Sequence, residues 1–172
     1  MQKDFSYPVK IEDLTQNEQH YFLKAGPKDL EVLKAILKVE SVKLFEADIT
    51  LKKTHKKHRI DIKGEVKALL ELKSVISLEN FDQKYVAPFE YYYDTTLTYE
   101  DLRQLDASIN DEVPEIIENG QIDLGQIAIE QLALVMDDYP RQSGEEFEFQ
   151  SEFDEKTTRE NHPFAILEKL KK

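Results

Sequence analysis

Through the first half of the chain, apolar and polar residues alternate with the period of two expected of half-buried strands, interrupted by one stretch of helical period. Phe5, Tyr7, Val9 and Ile11 share one face of FSYPVKI, and Pro8, lacking a ladder donor, marks it as an edge strand. Residues 12–26 have mixed polarity, suggest no element, and end at the break Gly26-Pro27. The spacing then predicts a helix over about 27–38, with Pro27 and Asp29 suited to its first turn and Leu30, Leu33, Ile36 and Leu37 forming its apolar face. Residues 40–54 return to strand: Val42 and Leu44 lie in phase on one face, and Phe45, Ala47, Ile49 and Leu51 on the other. After a basic turn, RIDIKGEVKALLELK at 59–73 alternates again, and Gly64 is read as a bulge where the sheet bends. Ser74 to Phe81 forms a short strand or a turn. Residues 83–93 set Tyr85, Ala87, Phe89, Tyr91 and Tyr93 on one face, with Pro88 pointing to an edge or a bulge.

The period changes for good at Ile122–Arg141, IDLGQIAIEQLALVMDDYPR. Asp123 is an N-cap type and Gln126 stands three residues on, the spacing of a capping box. From Leu124 to Met136 almost every helical face is apolar, and only the line through Gln126, Glu130 and Asp137, with Gln131 beside it, is polar. A helix over about 123–138 with such a surface is expected to be covered on most sides, at the centre of the core. Pro140 stops it, and Tyr139 before that proline is pushed towards an extended backbone. The connection at 94–121 is acidic, with room for a short strand or a turn of helix. Residues 142–161 are polar, with Phe147, Phe149 and Phe153 alternating, and form either a docking strand or a flexible segment. Pro163 opens a short C-terminal helix whose Phe164 and Leu167 would dock on the body. Strands with short links that outnumber the helices predict an α+β fold, with a twisted antiparallel sheet, open or partly rolled, around the 123–138 helix in a single domain of residues 1–172.

Composition narrows the function classes. Hydrophobic residues make up 40% and charged residues 34% of the chain, and the mean hydropathy is −0.58. The longest apolar run, Leu132–Met136, is far short of the roughly 20 residues a membrane helix needs. MQKDFSYPVK has no apolar core of a secretory signal, and zero cysteines exclude disulfides, thiolate metal sites and cysteine nucleophiles, so the expected compartment is the cytoplasm. The net charge of −12 is unevenly spread: residues 1–75 hold 15 Lys and Arg against 12 Asp and Glu, and the remainder holds 8 against 23. An acidic half repels phosphate and attracts basic partners, although solubility alone also accounts for it.

The densest basic cluster is Lys52, Lys53, His55, Lys56, Lys57, His58 and Arg59, at the tip of an expected hairpin. Such a tip can grip RNA phosphates through ion pairing and counterion release. The plainer reading is a solvated turn whose lysines guard strand ends against edge aggregation. His55 and His58 lack the third protein ligand that catalytic zinc uses. Asp137 and Asp138, adjacent on a helix, point about 100° apart and do not share a site as an acid and base would. Arg141 beyond them offsets their charge or forms part of a recognition corner. No Gly-rich phosphate loop, Ser-x-x-Lys or His-Glu-x-x-His occurs, so neither a catalytic residue nor a cofactor is indicated.

The runs Asp123-Leu124-Gly125, Glu130-Gln131-Leu132, Tyr139-Pro140-Arg141 and Pro163-Phe164-Ala165 resemble the YceD-like family of large ribosomal RNA subunit accumulation proteins. The resemblance is best from about Val66 to Arg141 and returns at Asn161–Lys171. Many relatives carry Cys-x-x-Cys or Cys-x-x-Thr before a Leu-Glu-Pro turn. Here Ser74-Val75-Ile76-Ser77 and Leu78-Glu79-Asn80 stand in those places, so this chain has no thiol chemistry there. The resemblance implies a role in accumulation or processing of large-subunit ribosomal RNA, with Asp123, Gly125, Glu130, Tyr139, Pro140 and Arg141 as the motif residues and no established enzymatic activity. Combined with the charge, it points to a basic large-subunit ribosomal protein or pre-ribosomal particle as partner, with ribosomal RNA contact at Lys52, Lys53, Lys56, Lys57 and Arg59. The alternative is an acidic adaptor that binds a basic protein through Asp94–Glu118 without touching RNA. A metal-dependent nuclease is a third reading, for which no carboxylate cluster is recognisable.

Overall fold

A computed structural model describes residues 5–54, 58–98, 100–101, 114–117 and 119–146. The chain forms two compact units, Met1–Gln142 and Ser143–Lys172. The first is an α+β fold, as the pattern predicts. Its strands are β1 (Pro8–Lys10), β2 (Gln19–Lys24), β3 (Ser41–Thr54), β4 (Arg59–Lys73), β5 (Asn80–Asp94), β6 (Glu115–Ile116) and β7 (Gln121–Asp123). Its helices are α1 (Pro27–Leu37) and α2 (Leu124–Val135). The expected alternating tail at 147–161 and the helix from Pro163 lie outside the described residues.

The main sheet has the order β2-β3-β4-β5-β6, and a two-stranded ribbon joins β1 to β7. Pairing is antiparallel from β2 to β5, but β6 adds in parallel beside Tyr93 and Asp94, so the sheet is mixed rather than purely antiparallel. Strands β4 and β5 form a hairpin of 15 residues a side, paired from Arg59↔Asp94 to Lys73↔Asn80. α1 packs on β3, α2 packs on β4 and β5, and the two helices touch. All are laid on the face carrying Ile60, Ile62, Val66, Ala68 and Leu70, each fully buried. The opposite face is a checkerboard of charge with exposed pairs such as Lys43–Asp82 and Lys67–Glu65. Such exposed pairs are screened by solvent and salt, so the face supplies solubility more than stability.

Four local expectations are corrected. Gln19–Lys24, within the stretch of mixed polarity, is strand β2 and pairs with β3 from Gln19↔Leu51 to Lys24↔Glu46. The bulge expected at Gly64 is absent, since the register runs unshifted through Ile49↔Gly64 and Gly64↔Phe89. Glycine stands there because a Cβ would lie 2.6 Å from the Asp48 carbonyl oxygen and 2.8 Å from the Phe89 ring, which covers the gap. The register shift instead falls in β3 between Val42 and Leu44. It turns Val42 to the same buried face as Phe45, although unbroken alternation would oppose them. Tyr7, placed with Phe5, Val9 and Ile11 on an apolar face, is 48% exposed, and its ring meets that of Tyr21 edge-on. The edge assignments at Pro8 and Pro88 fit their positions: among the described residues β1 has one partner, and β6 covers only the end of β5.

Candidate interaction surface at the end of helix α2

The two ends of α2 do different work, and the motif residues divide between them. At the N-terminus the Asp123 carboxylate accepts from the N–H groups of Gly125 (2.9 Å), Gln126 (3.1 Å) and Tyr7 (2.8 Å) and from the Ser6 hydroxyl. The Leu124 N–H in turn donates to the Tyr7 carbonyl (3.0 Å). One side chain therefore caps the helix and ties it to the segment entering β1. Only half of the expected capping box forms, because the Gln126 amide donates to Glu130 (3.1 Å) instead of returning to the cap. The reciprocal bond is found at α1, where the Gly26 N–H donates to Asp29 (3.0 Å). Gly125 is buried against the Phe5 carbonyl oxygen, 2.5 Å from where a Cβ would stand. Asp123 and Gly125 thus hold the fold together, while Glu130 is exposed on the helix's polar line.

Burial pulls the Asp123 carboxyl upward, but the Ser6 hydroxyl and the three N–H donors outweigh it and hold the carboxyl below the usual carboxylate value. A lowered folded value means stability that is present above the unfolded value, near 3.9, and is lost as pH falls through the folded one. Asp123→Asn is therefore expected to destabilise the protein at pH 7 and to differ less from the wild type near pH 3. Urea midpoints of both proteins at the two pH values test this, and an equal gap at both would refute it.

The C-terminus of α2 departs from expectation. The helix ends at Val135, not near 138, and Met136 is already extended, with φ −73° and ψ 142°. The backbone must turn away here, since the Pro140 carbonyl accepts from the Val75 N–H (2.9 Å) in the turn between β4 and β5. Asp137 and Asp138, unfavourable at the negative end of a helix, fall beyond it. Nor is the helix covered on most sides. Leu124, Gly125, Ile127, Ala128 and Leu132 are buried, but Leu134 is 78% exposed, Val135 42% and Tyr139 78%. Val75, Leu78 and Ile36 are also exposed nearby, on the turn bonded to Pro140 and on α1. Between the last turns of α1 and α2 runs an open groove of about 450 Å³, floored by Leu37, Val39, Leu72, Ile129, Ala133 and Met136 and edged by Lys38, Asp137 and Asp138. Exposed apolar surface gathered in one place, with a polar rim, marks interaction sites on soluble proteins. Arg141 is exposed as well.

The turn that leads into β5 closes without thiols. Ser74 is 1% exposed, and its hydroxyl oxygen accepts from the N–H groups of Ile76 (3.1 Å) and Ser77 (3.2 Å). The Leu78 N–H donates to the Ser74 carbonyl (3.1 Å), and Leu78 takes a left-handed φ of 60°.

At the basic tip, the described cations have partners within the chain. Lys52 pairs with Glu18 (3.5 Å), and Lys53 donates to the Ile11 carbonyl (3.2 Å). Arg59 pairs with Asp61 and lies 3.8 Å from the centre of the Tyr92 ring. His55, Lys56 and Lys57 lie outside the described residues. Of the three consecutive tyrosines, Tyr92 faces outward under Arg59, whereas Tyr91 and Tyr93 face inward with their hydroxyls 3.5 Å apart. Burial and that shared hydrogen bond push the Tyr91 phenol up, out of any physiological titration. Among the described residues no group of three His, Cys, Asp or Glu is placed to hold a metal ion, and no helix is long and apolar enough to cross a membrane.

Nothing in the apolar pattern distinguished the groove in advance, since Ile129, Ala133 and Met136 read as core. The one available signal was Tyr139, a large ring beyond the helix end and before a proline, where the chain has left the core.

These features define a small α+β protein that presents an exposed apolar surface at the end of its central helix, with an acidic lip. Residues 62–171 match the family described as Large ribosomal RNA subunit accumulation protein YceD, and the chain belongs to that family. The matched region begins within β4 and takes in β5 and α2 with both of its ends. Comparison with curated proteins and with solved structures returned no match.

Proposed function

We propose that this protein supports accumulation or processing of large-subunit ribosomal RNA as a cytoplasmic, non-enzymatic factor, by binding a basic large-subunit ribosomal protein or assembly intermediate. The observation that carries the reading is the exposed apolar surface beside Asp137 and Asp138, in a chain whose family is described by ribosomal RNA accumulation. The net charge of −12 favours a basic protein over naked RNA as first contact. The motif residues fit a binding role: Asp123 and Gly125 hold the helix in place, and Tyr139 stands in solvent. Sucrose-gradient sedimentation of lysate, with the protein followed by immunoblot, tests this. Co-sedimentation with large-subunit precursors at low salt, lost at high salt, is the expected outcome. Sedimentation only as free protein at low salt would refute stable association with precursors and favour the adaptor reading through Asp94–Glu118.

Direct RNA contact at the Lys52–Arg59 tip is a second element of this reading, favoured by five cations in eight residues. Charge reversal at Lys52, Lys53, Lys56 and Lys57 is expected to weaken RNA association and to flatten its salt dependence by about one unit of slope per lost phosphate contact. Lys52 and Lys53 are partly spent on Glu18 and Ile11, so reversal at Lys56 and Lys57 alone should account for most of the change. Unchanged RNA association in the fourfold variant would remove the tip from the interface.

A further inference from the structure

We infer that the groove between the C-terminal ends of α1 and α2 is the docking site for an amphipathic, lysine- or arginine-bearing peptide segment of the basic partner. The inference rests on the assembly reading above and adds to it the surface and the recognition chemistry. Two independent properties of the groove converge on such a segment. The first is its apolar floor, centred on Leu72, Ile129, Ala133 and Met136, in an open volume of about 450 Å³ that admits side chains from a single helix or extended strand. Exposed Tyr139 stands between the lining residues Asp138 and Pro140, and tyrosine is among the residue types that anchor interfaces.

The second property is electrostatic. Both helices end at the groove, α1 at Leu37 and α2 at Val135. A helix C-terminus carries roughly half a negative charge on its last carbonyls. Two such ends, together with Asp137 and Asp138, stand against Lys38, the single cation among the described lining residues. The groove is therefore apolar below and negative at its rim. A peptide with apolar residues on one face and cations beside them satisfies both conditions. An acidic or purely apolar peptide satisfies one at most.

The test uses the full chain and two fluorescein-labelled probes of about 14 residues, one built of Leu and Lys and one of Leu and Glu with the same apolar spacing. Anisotropy titrations are expected to show binding of the Leu/Lys probe only. Ala133→Arg, at an exposed position where arginine suits a helix, should fill the groove and weaken that binding about tenfold or more, with thermal unfolding unchanged. Asp137→Lys with Asp138→Lys should weaken it by about the same factor. Glu12→Lys with Asp13→Lys, an equal charge change on exposed residues of another segment, should change it less than about twofold.

Equal loss in the Glu12/Asp13 control would overturn the proposal by reducing the binding to net charge. So would full binding by Ala133→Arg, binding of neither probe, or sedimentation equilibrium showing a wild-type dimer that Ala133→Arg converts to monomer, which would make a second copy the occupant. Sedimentation of Ala133→Arg on the lysate gradient separates the two claims. If the variant loses the probe yet still travels with precursors, the groove is not the partner's site and the assembly reading stands. If the wild type binds the probe but never travels with precursors, the assembly reading fails and the groove remains a peptide site.

Discussion

Phe45→Ala is expected to destabilise the protein by about 3–5 kcal/mol, the largest effect of any single truncation considered for this fold. Phe45 is 1% exposed on β3, paired with Ala68 across the sheet, and its ring meets Phe5 edge-on at 5.3 Å and 79°. Truncation removes the burial of a full aromatic side chain and leaves a cavity facing a small neighbour that cannot fill it. It also loses an aromatic pair that contributes about 0.5–1.5 kcal/mol beyond its area. A fall in the thermal midpoint of roughly 10–15 °C is the corresponding observation for a unit of this size. Phe45→Leu, which keeps most of the volume, should cost about 1.5 kcal/mol or less. Comparable losses for Ala and Leu would mean that the cavity adds little and that the Phe5 ring contact, lost in both, carries most of the effect.

Gly125→Ala should be the second most damaging of these changes, and its sign runs against helix propensity. In the first turn of an exposed helix the exchange would gain up to about 1 kcal/mol. Here the new Cβ would stand 2.5 Å from the Phe5 carbonyl oxygen and 3.0 Å from Ser6 Cα, both backbone. The segment entering β1 must move, and the Tyr7 carbonyl that accepts from Leu124 moves with it. A net loss of about 2 kcal/mol is expected, in the range of overpacked cores. Faster hydrogen exchange at the Leu124 N–H would localise the damage to this junction. A stabilised variant would show that the junction yields without cost. Either result bears on the Asp-Leu-Gly run, whose structure assigns it to holding the fold and not to meeting a partner.

Much of the architecture was legible because its signals are local. The strand read at 59–73 is β4 with the same bounds, and the helix read at 27–38 is α1 within one residue. Alternation carried the first, and Gly26-Pro27 with the Leu30–Leu33–Leu37 spacing carried the second. β2 was missed because the six residues QHYFLK bury only Leu23, so its inside and outside barely differ in polarity. What makes it a strand is the free edge of β3 beside it. The shift at Val42–Leu44 and the role of Gly64 were hidden for a related reason. A register is a property of two strands, and the atoms that exclude a Cβ at Gly64 belong to Asp48 and Phe89.

The candidate site divides in the same way. The cap at Asp123 could be read from residue type and spacing, since a carboxylate ahead of a helical run meets free N–H groups wherever the helix lies. The further donors, Ser6 and Tyr7, come from a segment more than a hundred residues away. The pairing of Lys52 with Glu18 and the stacking of Arg59 on Tyr92 likewise follow from how strands and loops lie side by side.

By itself, then, the sequence determined the periods and breaks of the chain, its acidic balance, its lack of thiols, and the runs that mark its family, because each depends on residues close together or on composition. The tertiary structure alone decided which apolar residues are covered. Leu132 and Leu134 are the same residue two positions apart in one helix, yet one is fully buried and the other 78% exposed. The sheet lies against one and solvent against the other, and burial depends on what is packed opposite a side chain as much as on the side chain itself.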